Sequence, residues 1–405
     1  AIILNDLYMG SGHLPDIFTF YPVFYQGKLK GFAVNVAHHI DVGGATAGSQ
    51  AVEGITEFYQ EGIRLIPTRY QKEGVLDREV IKFISSNVRI PDKVLGDLKA
   101  QTNANRVGAR RLVELFDRYG LDIVSACMDE LLKRSETAMR EEIRKIPDGT
   151  GSFEDYMDDY GRDTEPIKVK CTITVKDDFI TIDYTGSSLQ VPAGLNSTYN
   201  YTCAYAFCAL KNVTDPSLPQ NDGCLRPIKV IAPEGSFFNP RPPAGAGGRA
   251  IISQRNYEVV LGALSHLVPE RVITAASHMA NPVVGGFDPR RNRRFVHYVV
   301  SIGGYGARAN KDGCEALSSA FNVRNIPVEV DEINYPILVE RLELIQDSCG
   351  SGKYRGGCGI RRDERMLGED LRISNLTDRV KFPPFGLFGG KPGAKTAIIL
   401  NPGPD

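Results

Sequence analysis

Histidine and aspartate side chains cluster twice near the start of this sequence. Three of the six histidines lie within the first 39 residues. The candidate ligands of the two clusters are Asp6, His13, Asp16, His38, His39 and Asp41. Imidazole nitrogens with one or two carboxylates are ligands of Zn²⁺, Mn²⁺ or Fe²⁺, and mixed N/O ligation with an open position suits catalysis. The clusters therefore predict a metal site if the chain between them folds back.

The two adjacent histidines cannot both face one site, because successive side chains of a strand point to opposite faces. If the chain is extended here, His39 and Asp41 share a face. If it turns at His39, His38 and Asp41 converge instead. A simpler interpretation is that the histidines are buried and hydrogen-bonded to nearby aspartates, while the surrounding Asn-Asp and Gly-Gly segments form turns. Spacing alone leaves these alternatives open.

A second group of candidates lies in glycine-rich loops of the C-terminal half. Backbone N–H groups of such loops, with Arg308, Lys353 and Arg355 nearby, can bind a carboxylate or phosphate. The sequence contains neither GxGxxG after a strand nor GxxxxGK[ST], since Tyr354 follows Lys353. It therefore offers no P-loop, and tight turns of a glycine-rich sheet region are the simpler interpretation of these loops.

The elements around the first clusters are predicted by hydrophobic periodicity. Residues 17–36 read as two strands joined at Gln26-Gly27-Lys28, a hairpin that can carry the second cluster back beside the first. Apolar residues recur at three- and four-residue spacing from 90 to 146, which indicates two long amphipathic helices broken near Gly120. We further expect helices over 50–62, 76–86, 199–211 and 254–267, a boundary loop over 147–165 and a second hairpin over 167–184.

These elements predict an α+β fold, in which β-rich domains are separated by an inserted helical segment at about 90–146. The predicted divisions are a metal-site β-hairpin region (1–89), the helical segment (90–147) and a β-rich glycine-loop region with a few helices (165–405).

Composition narrows the class of protein. The chain has 405 residues, 42% hydrophobic and 24% charged, which is ordinary globular chemistry with room for two or three subdomains. A net charge of -1 gives no general attraction to nucleic acid or anionic membranes. Eight cysteines without a C-x-x-C pair argue against structural zinc and for reduced thiols. We expect a cytoplasmic protein that binds neither nucleic acid nor membrane.

Several sequence blocks together resemble the hydantoinase B/5-oxoprolinase family, whose superfamily includes the acetone and acetophenone carboxylase subunits. The blocks occur in the expected order along nearly the whole chain: NDLYMGSGHLPD (5–16), PVFYQGKLKGFAVNVAHHIDVGG (22–44), EGIRLIP (61–67), QNDGCLRPI (220–228), GGYGAR (303–308), GSGKYRGGCGI (350–360) and PPFGLFGGKPG (383–393). Departures from the family pattern, such as Leu7 in place of the usual proline, spare every candidate ligand.

The resemblance implies a metal-bearing catalytic subunit of a hetero-oligomer. Its partner would be a hydantoinase A-type ATPase subunit that uses ATP to phosphorylate the substrate. The leading function is hydrolysis of a cyclic amide, and the alternative is ATP-dependent carboxylation of a ketone. A third interpretation, a scaffold with a degenerate site, is disfavoured because all the candidate ligands are present.

The resemblance also implies roles for the first clusters. His13, His38 and Asp41 would hold a divalent metal (Zn, Mn or Fe), with Asp6 as a further ligand. Asp16 or His39 would then act as the catalytic group that handles the proton.

Overall fold

A computed structural model describes residues 1–317, 320–321 and 323–403. The first sheet has the strand order β3-β2-β1-β4. Its strands are β1 (Ile2–Leu4), β2 (Asp16–Tyr25), β3 (Lys28–His38) and β4 (Thr68–Arg69). Positive φ angles at Gln26 and Gly27 form the tight turn between β2 and β3. The predicted hairpin is therefore present.

A two-stranded ribbon and three helices follow. They are β5 (Gln71–Lys72), β6 (Val75–Leu76), α1 (Arg78–Asn87), α2 (Pro91–Tyr119) and α3 (Leu121–Arg144). The Asp77 carboxylate caps α1 by accepting hydrogen bonds from two backbone N–H groups. Helices α2 and α3 break at Gly120, as predicted, because its φ of 84° is outside the helical region. Helix α2 packs on one face of the β2–β3 hairpin.

The second sheet, in the order β10-β9-β8-β7, encloses the largest hydrophobic core together with α6. This region comprises β7 (Gly149–Met157), β8 (Ile167–Lys176), β9 (Phe179–Asp183), α4 (Tyr199–Val213), α5 (Asp222–Leu225), β10 (Ile228–Ile231) and α6 (Arg249–Leu264). Every residue of α6 is buried, which explains why its sequence lacks a polar face.

The remaining elements are two smaller sheets, ordered β12-β11-β15 and β13-β14, and one helix. They are β11 (Asn281–Asp288), β12 (Arg293–Tyr298), α7 (Val328–Asn334), β13 (Ile337–Leu344), β14 (Ile360–Met366) and β15 (Glu369–Leu376). In the described part of the chain, no helix combines the length and apolarity needed to span a bilayer.

The predicted α+β class with its long helical segment is confirmed, but two local predictions are wrong. The helix expected over 50–62 is absent, and short 3₁₀ turns at Ala47–Ser49 and Phe58–Gln60 lie in and beside that stretch. Gly54 adopts a positive φ of 76° there, which a helix does not allow. The expected boundary loop over 147–165 contains β7, an edge strand. Its inward-facing positions include two glycines and Asp155 as well as Phe153 and Met157, so the sequence shows no regular apolar alternation.

Candidate metal centre

The β2–β3 hairpin places an aspartate opposite a histidine. Asp16 begins β2, His38 ends β3, and the two residues are direct partners in the antiparallel register. His13 lies in the turn that leads into β2, where its carbonyl accepts a hydrogen bond from the Asp16 N–H at 3.2 Å. Three side chains from the two sequence clusters therefore meet at the end of the hairpin.

Ligand atoms of His13, Asp16 and His38 all lie within 4.8 Å of one another. His13 Nδ1 is 3.0 Å from Asp16 Oδ2, and the two imidazole ring centroids are 4.9 Å apart. This cluster opens onto a cavity of about 260 Å³, which Asp16 and His38 help to line. Two of the three donors, Asp16 and His38, are thus accessible from a space that a small molecule can enter.

Arg249 lies in the first turn of helix α6, which is distant from this cluster in sequence but contacts it in the fold. Its guanidinium donates hydrogen bonds to Asp16 Oδ2 and to the Tyr201 hydroxyl, and it stacks on the Tyr201 ring at 4.3 Å. A methyl group at Gly12 would lie 2.5 Å from the Tyr201 ring and 2.9 Å from the Arg249 side chain. Glycine at position 12 therefore permits this close approach.

Gln50 lies between the two imidazoles. Its Nε2 is 3.2 Å from His13 Nε2 and 3.0 Å from His38 Nε2. Its Oε1 accepts a hydrogen bond of 2.7 Å from Tyr298, whose oxygen in turn accepts one of 2.8 Å from Asn281. This chain of hydrogen bonds fixes the amide, so that Gln50 donates to nitrogen atoms that would otherwise be free.

Electrostatics keeps both imidazoles neutral and the carboxylate ionised. Loss of hydration lowers the pKa of His13, as does the charge of Arg249. Although His38 faces the cavity, the surrounding protein atoms and the neighbouring His13 lower its pKa from the usual value. Burial opposes ionisation of Asp16, but Arg249 and His13 outweigh it and hold the pKa of this carboxyl well below its usual range. These protonation states are the ones in which the groups bind metal ions.

The donor set fits a divalent cation. His13 Nδ1 is buried and lacks a hydrogen-bond partner in the described residues, although Asp16 Oδ2 is only 3.0 Å away. Ligands of a divalent ion lie at about 2.0–2.2 Å from it, so two adjacent ligands of one ion are separated by about 3 Å. Two nitrogens and one carboxylate oxygen are a common set for Zn²⁺, Mn²⁺ or Fe²⁺.

Two of the predicted ligands lie elsewhere, in hydrogen-bonded turns. Asp41 accepts hydrogen bonds from the Gly43 and Gly48 N–H groups and from the backbone and guanidinium of Arg89, the last at 2.8 Å. Asp6 accepts from the Tyr8 N–H at 2.8 Å and pairs with the Arg64 guanidinium. Each carboxylate therefore already has a cationic partner.

His39 points away from His38, as the alternation of strand side chains requires. It is fully buried, and its Nε2 is 3.0 Å from Gln101 Oε1 on helix α2. The Gln101 amide also donates to the Ile17 carbonyl at 2.8 Å. His39 thus contributes to the attachment of the hairpin to α2 rather than to the cavity.

The predicted anion-binding residues lie in a different region. Arg308 and Lys353 line a larger cavity of about 1690 Å³ between the glycine loops and the C-terminal sheets. Arg355 Nη1 is 2.8 Å from Glu315 Oε1, and this ion pair reduces its capacity to attract another anion. Anion binding by these three residues remains a prediction.

Sequence reasoning missed four residues around the cluster, namely Gln50, Tyr201, Arg249 and Tyr298. Arg249 is separated from Asp16 by 233 positions, and Tyr298 from Gln50 by 248. Helix α6 offered a weak signal for Arg249. Its sequence has no polar face, as expected of a buried helix, and an arginine in such a helix requires a charged or aromatic partner.

Comparisons with known proteins identify a family. The model of the Hydantoinase B/oxoprolinase family matches residues 1–404. One component of a putative D-/L-hydantoinase from a Pseudomonas species is 36% identical over 406 residues, which cover 97% of this chain and 68% of that protein.

Two solved structures resemble this fold. The ATP-dependent caprolactamase from Pseudomonas jessenii matches with a TM-score of 0.83 at 26% identity, over 97% of this chain and 76% of that chain. A nucleotide-free acetone carboxylase structure matches with a TM-score of 0.88 at 21% identity, over 98% of this chain and 55% of that chain. At this lower identity, the likeness to acetone carboxylase concerns the fold alone.

Proposed function

We propose that this chain, which belongs to the hydantoinase B/oxoprolinase family, is the metal-bearing subunit of an ATP-dependent cyclic amidase. The observation that carries the proposal is the convergence of His13, Asp16 and His38 at the mouth of a cavity. The family match and the relative named as a putative hydantoinase component support the reaction class.

His13, His38 and Asp16 are the proposed metal ligands. This assignment gives the carboxylate position to Asp16, in place of Asp41 and Asp6, because only Asp16 lies beside both imidazoles. A divalent ion held there would lower the pKa of a bound water towards about 7 or polarise a substrate carbonyl.

The protein side chains prepare this centre for an uncharged amide. The neutral imidazoles present lone pairs at physiological pH, and Arg249 fixes the orientation of the ionised Asp16. The Arg249 guanidinium also balances the negative charge of that carboxylate. His39 supports the site indirectly, because its contact with Gln101 holds the end of β3 on helix α2.

The proposed partner is a hydantoinase A-type subunit that hydrolyses ATP. An amide resists attack by water at neutral pH because resonance stabilises it, and phosphorylation of its oxygen creates a good leaving group. This chain lacks the P-loop sequence that would let it hold ATP in that manner. We therefore propose that phosphorylation takes place on the partner and hydrolysis on this chain, within a hetero-oligomer.

The test compares wild type with His38→Ala and with His266→Ala, a variant of an exposed histidine outside the cluster. Bound metal is measured after dialysis, and turnover of hydantoin is measured with the partner and ATP. We expect His38→Ala to lose both metal and turnover, and His266→Ala to retain both. Turnover by the isolated chain without ATP would contradict the division of labour.

Labelled bicarbonate distinguishes the two reactions considered from the sequence. The complete complex is incubated with ATP, labelled bicarbonate and either acetone or acetophenone. A cyclic amidase incorporates no label into product. Incorporation that requires ATP and disappears in His38→Ala would instead identify a carboxylase.

A further inference from the structure

Two cysteines lie at the base of the glycine loop that connects β13 and β14. Cys349 follows the last residue of β13 by five positions, and Cys358 precedes the first residue of β14 by two. The Ile345 N–H donates a hydrogen bond of 2.8 Å to the Gly359 carbonyl, so the antiparallel pairing of the two strands continues towards the loop. Both cysteines are free thiols. The fold thus brings together the two ends of the segment 350–357, and each end carries a sulfur atom.

Hydrogen bonds on both sides hold these two cysteines opposite each other. On the strand side, the Ser348 hydroxyl accepts a hydrogen bond of 2.7 Å from the Gly359 N–H. On the loop side, the Gly350 carbonyl accepts one of 3.0 Å from the Gly356 N–H. Opposite residues of antiparallel segments have Cα atoms about 4.5–5.5 Å apart, which lies within the range of about 4.4–6.8 Å that a disulfide spans. The backbone therefore has the separation that a bond between the two sulfurs requires.

The two thiols also contact each other. Partial burial raises the pKa of the Cys358 thiol, as do the Glu315 carboxylate and the Cys349 thiol, which is hydrogen-bonded to it. The Arg355 guanidinium acts in the opposite direction. The Glu315 carboxylate accepts hydrogen bonds from both the N–H and the thiol of Cys358. Cys358 is thus held as a neutral thiol beside a group that can take its proton.

The loop between the cysteines forms part of the wall of the larger cavity. Lys353 and Tyr354 lie in this wall, and the Gly357 N–H donates a hydrogen bond of 2.9 Å to the Tyr305 carbonyl of a neighbouring glycine loop. The two cysteines themselves are partly exposed. A small oxidant can therefore reach them, and thiols that respond to oxidants are typically accessible and lie beside a second, resolving thiol.

From these contacts we infer that Cys349 and Cys358 are an oxidant-responsive pair, which forms a reversible disulfide across the base of the glycine loop. The bond would restrict the segment that carries Lys353 and lines the larger cavity. Disulfides in reducing compartments are usually transient and redox-sensing, which agrees with two partly exposed thiols. This modification site is separate from the metal centre and does not depend on the proposed function.

The oxidant in this reaction is a peroxide, and the reaction has two steps. The Cys349 thiolate attacks one oxygen of hydrogen peroxide, so that an S–O bond forms, the O–O bond breaks and the departing hydroxide leaves as water with the thiol proton. The Cys358 sulfur then attacks the Cys349 sulfur, so that the S–S bond forms and the S–O bond breaks. The second hydroxide leaves as water with the Cys358 proton, which passes through the Glu315 carboxylate. Two thiols and one peroxide thus give one disulfide and two waters, and each sulfur loses one electron.

Peptide mapping detects the proposed bond. Wild type is treated with one equivalent of hydrogen peroxide, unfolded in the presence of N-ethylmaleimide and digested with trypsin. Trypsin cleaves between the two cysteines and on either side of them, after Arg341, Lys353, Arg355 and Arg361. The peptides 342–353 and 356–361 then remain joined only through a disulfide. We expect most copies of these peptides to be joined and to separate on reduction with dithiothreitol. Recovery of both peptides mainly in the alkylated form would overturn the inference.

Two other cysteines provide the controls. Cys127 is exposed on helix α3, and in the same digest it should remain alkylated. Cys314→Ser is the matched variant, because Cys314 lies beside the same loop, where its sulfur accepts a hydrogen bond of 3.5 Å from Arg308. This variant should form the joined peptides as wild type does. Loss of the joined peptides in Cys314→Ser, or a peptide joined through Cys314, would assign the reactive pair to other residues.

Single variants test the order of the two steps. In Cys358→Ser the oxidised Cys349 has no resolving thiol, so it should accumulate as a sulfenic acid that reacts with dimedone. In Cys349→Ser we expect dimedone labelling of Cys358 to be about fivefold lower, because Glu315 holds this thiol in its neutral form. Equal labelling in the two variants, or stronger labelling of Cys358, would contradict the assignment of Cys349 as the attacking thiol.

Discussion

The molecule contains two polar clusters that differ in how their charges are satisfied. The first is the metal-centre cluster of His13, Asp16 and His38. The second, which we name the buried ion cluster, comprises Asp155, Arg255, Glu258, His278, Asp378 and Arg379. Both combine histidine with carboxylates and arginine, so residue type alone does not separate them.

In the buried ion cluster every charge faces an opposite charge. Arg255 lies 2.6 Å from Asp378, and Arg379 pairs with Glu258. His278 lies between the two acids, 2.8 Å from Glu258 and 3.4 Å from Asp378. Burial opposes ionisation of Glu258, but Arg379 and His278 outweigh it and hold its pKa at about 2.

The metal-centre cluster is less completely paired. Asp16 has Arg249, but the imidazoles of His13 and His38 share one neutral amide, that of Gln50. The cluster also opens onto a cavity. The comparison indicates that a polar cluster can bind a ligand when some of its ligand atoms lack a charged partner in the protein and border a cavity. A cluster whose charges are all paired with one another has a structural role instead.

The largest expected effect is the loss of stability when the buried ion cluster is broken. Asp378→Asn removes the buried carboxylate that accepts two hydrogen bonds from Arg255, which leaves Asp155 as the acid still paired with this arginine. We expect the free energy of unfolding to fall by about 3–5 kcal/mol. Denaturant unfolding measures this change. Glu130→Gln, in an exposed pair with Arg134, is the control and should leave the midpoint unchanged.

A change of less than about 1 kcal/mol in Asp378→Asn would contradict the structural role of the buried ion cluster. His38→Ala extends the comparison, because the metal-free chain should tolerate it with a much smaller loss of stability. His38 is accessible from the cavity, and removing it strands no buried charge.

Glu61 is a buried carboxyl group without a cationic partner in the described residues, so it tests how burial alone changes the pKa of a carboxyl group and the stability of the fold. Its Oε1 accepts a hydrogen bond of 2.7 Å from the Gly247 N–H, its Oε2 has no partner in the described residues, and burial raises its pKa to about 7. Because the folded chain holds this proton more tightly, the resulting stability is present below pH about 4.5 and is lost as the pH rises through about 7, by about 3 kcal/mol.

Glu61→Gln should abolish the loss of stability that wild type shows as the pH rises. Between pH 5 and pH 8 the variant should therefore gain about 3 kcal/mol of stability relative to wild type. Thermal unfolding followed across that range measures the difference. Glu53→Gln, at an exposed position, should keep the wild-type pH dependence. Parallel curves for wild type and Glu61→Gln would show that Glu61 is ionised in the folded chain.

In the metal-centre cluster, the expected effect of a substitution is a loss of affinity for the metal ion. His38→Ala removes one of three proposed ligands and should weaken Mn²⁺ binding by about a hundredfold, or about 2.7 kcal/mol. Calorimetric titration measures the affinity, and His266→Ala should titrate like wild type. Unchanged affinity in His38→Ala would remove this residue from the proposed ligand set.

The smallest expected effect has the opposite sign. The Gln50 amide donates to Nε2 of both imidazoles. The bond to His38 Nε2 must break before that nitrogen can bind a cation, whereas His13 can bind through Nδ1, which faces Asp16. Gln50→Ala should therefore tighten Mn²⁺ binding by about fivefold, since one hydrogen bond contributes about 1 kcal/mol. Weaker binding in Gln50→Ala would mean that Gln50 orients the imidazoles for metal binding. Tyr298→Phe, which frees the Gln50 amide, should have a smaller effect of the same sign.

The sequence alone determined the elements that local patterns encode. Alternating β-rich residues around Gln26 and Gly27 specified the hairpin, and apolar spacing specified the helices that break at Gly120. It also placed histidines and aspartates at both ends of that hairpin. Local periodicity is a property of neighbouring residues, so one sequence can display it.

Only the tertiary structure decided which carboxylate joins the imidazoles. The family resemblance favoured Asp41 as the ligand, with Asp16 as a proton-handling group, but Arg89 holds Asp41 in a turn while the strand register places Asp16 opposite His38. Arg249 completes the cluster from 233 residues away. Contacts of this kind depend on how α6 packs against the hairpin, and side-chain packing across such separations leaves no periodic signal in the sequence.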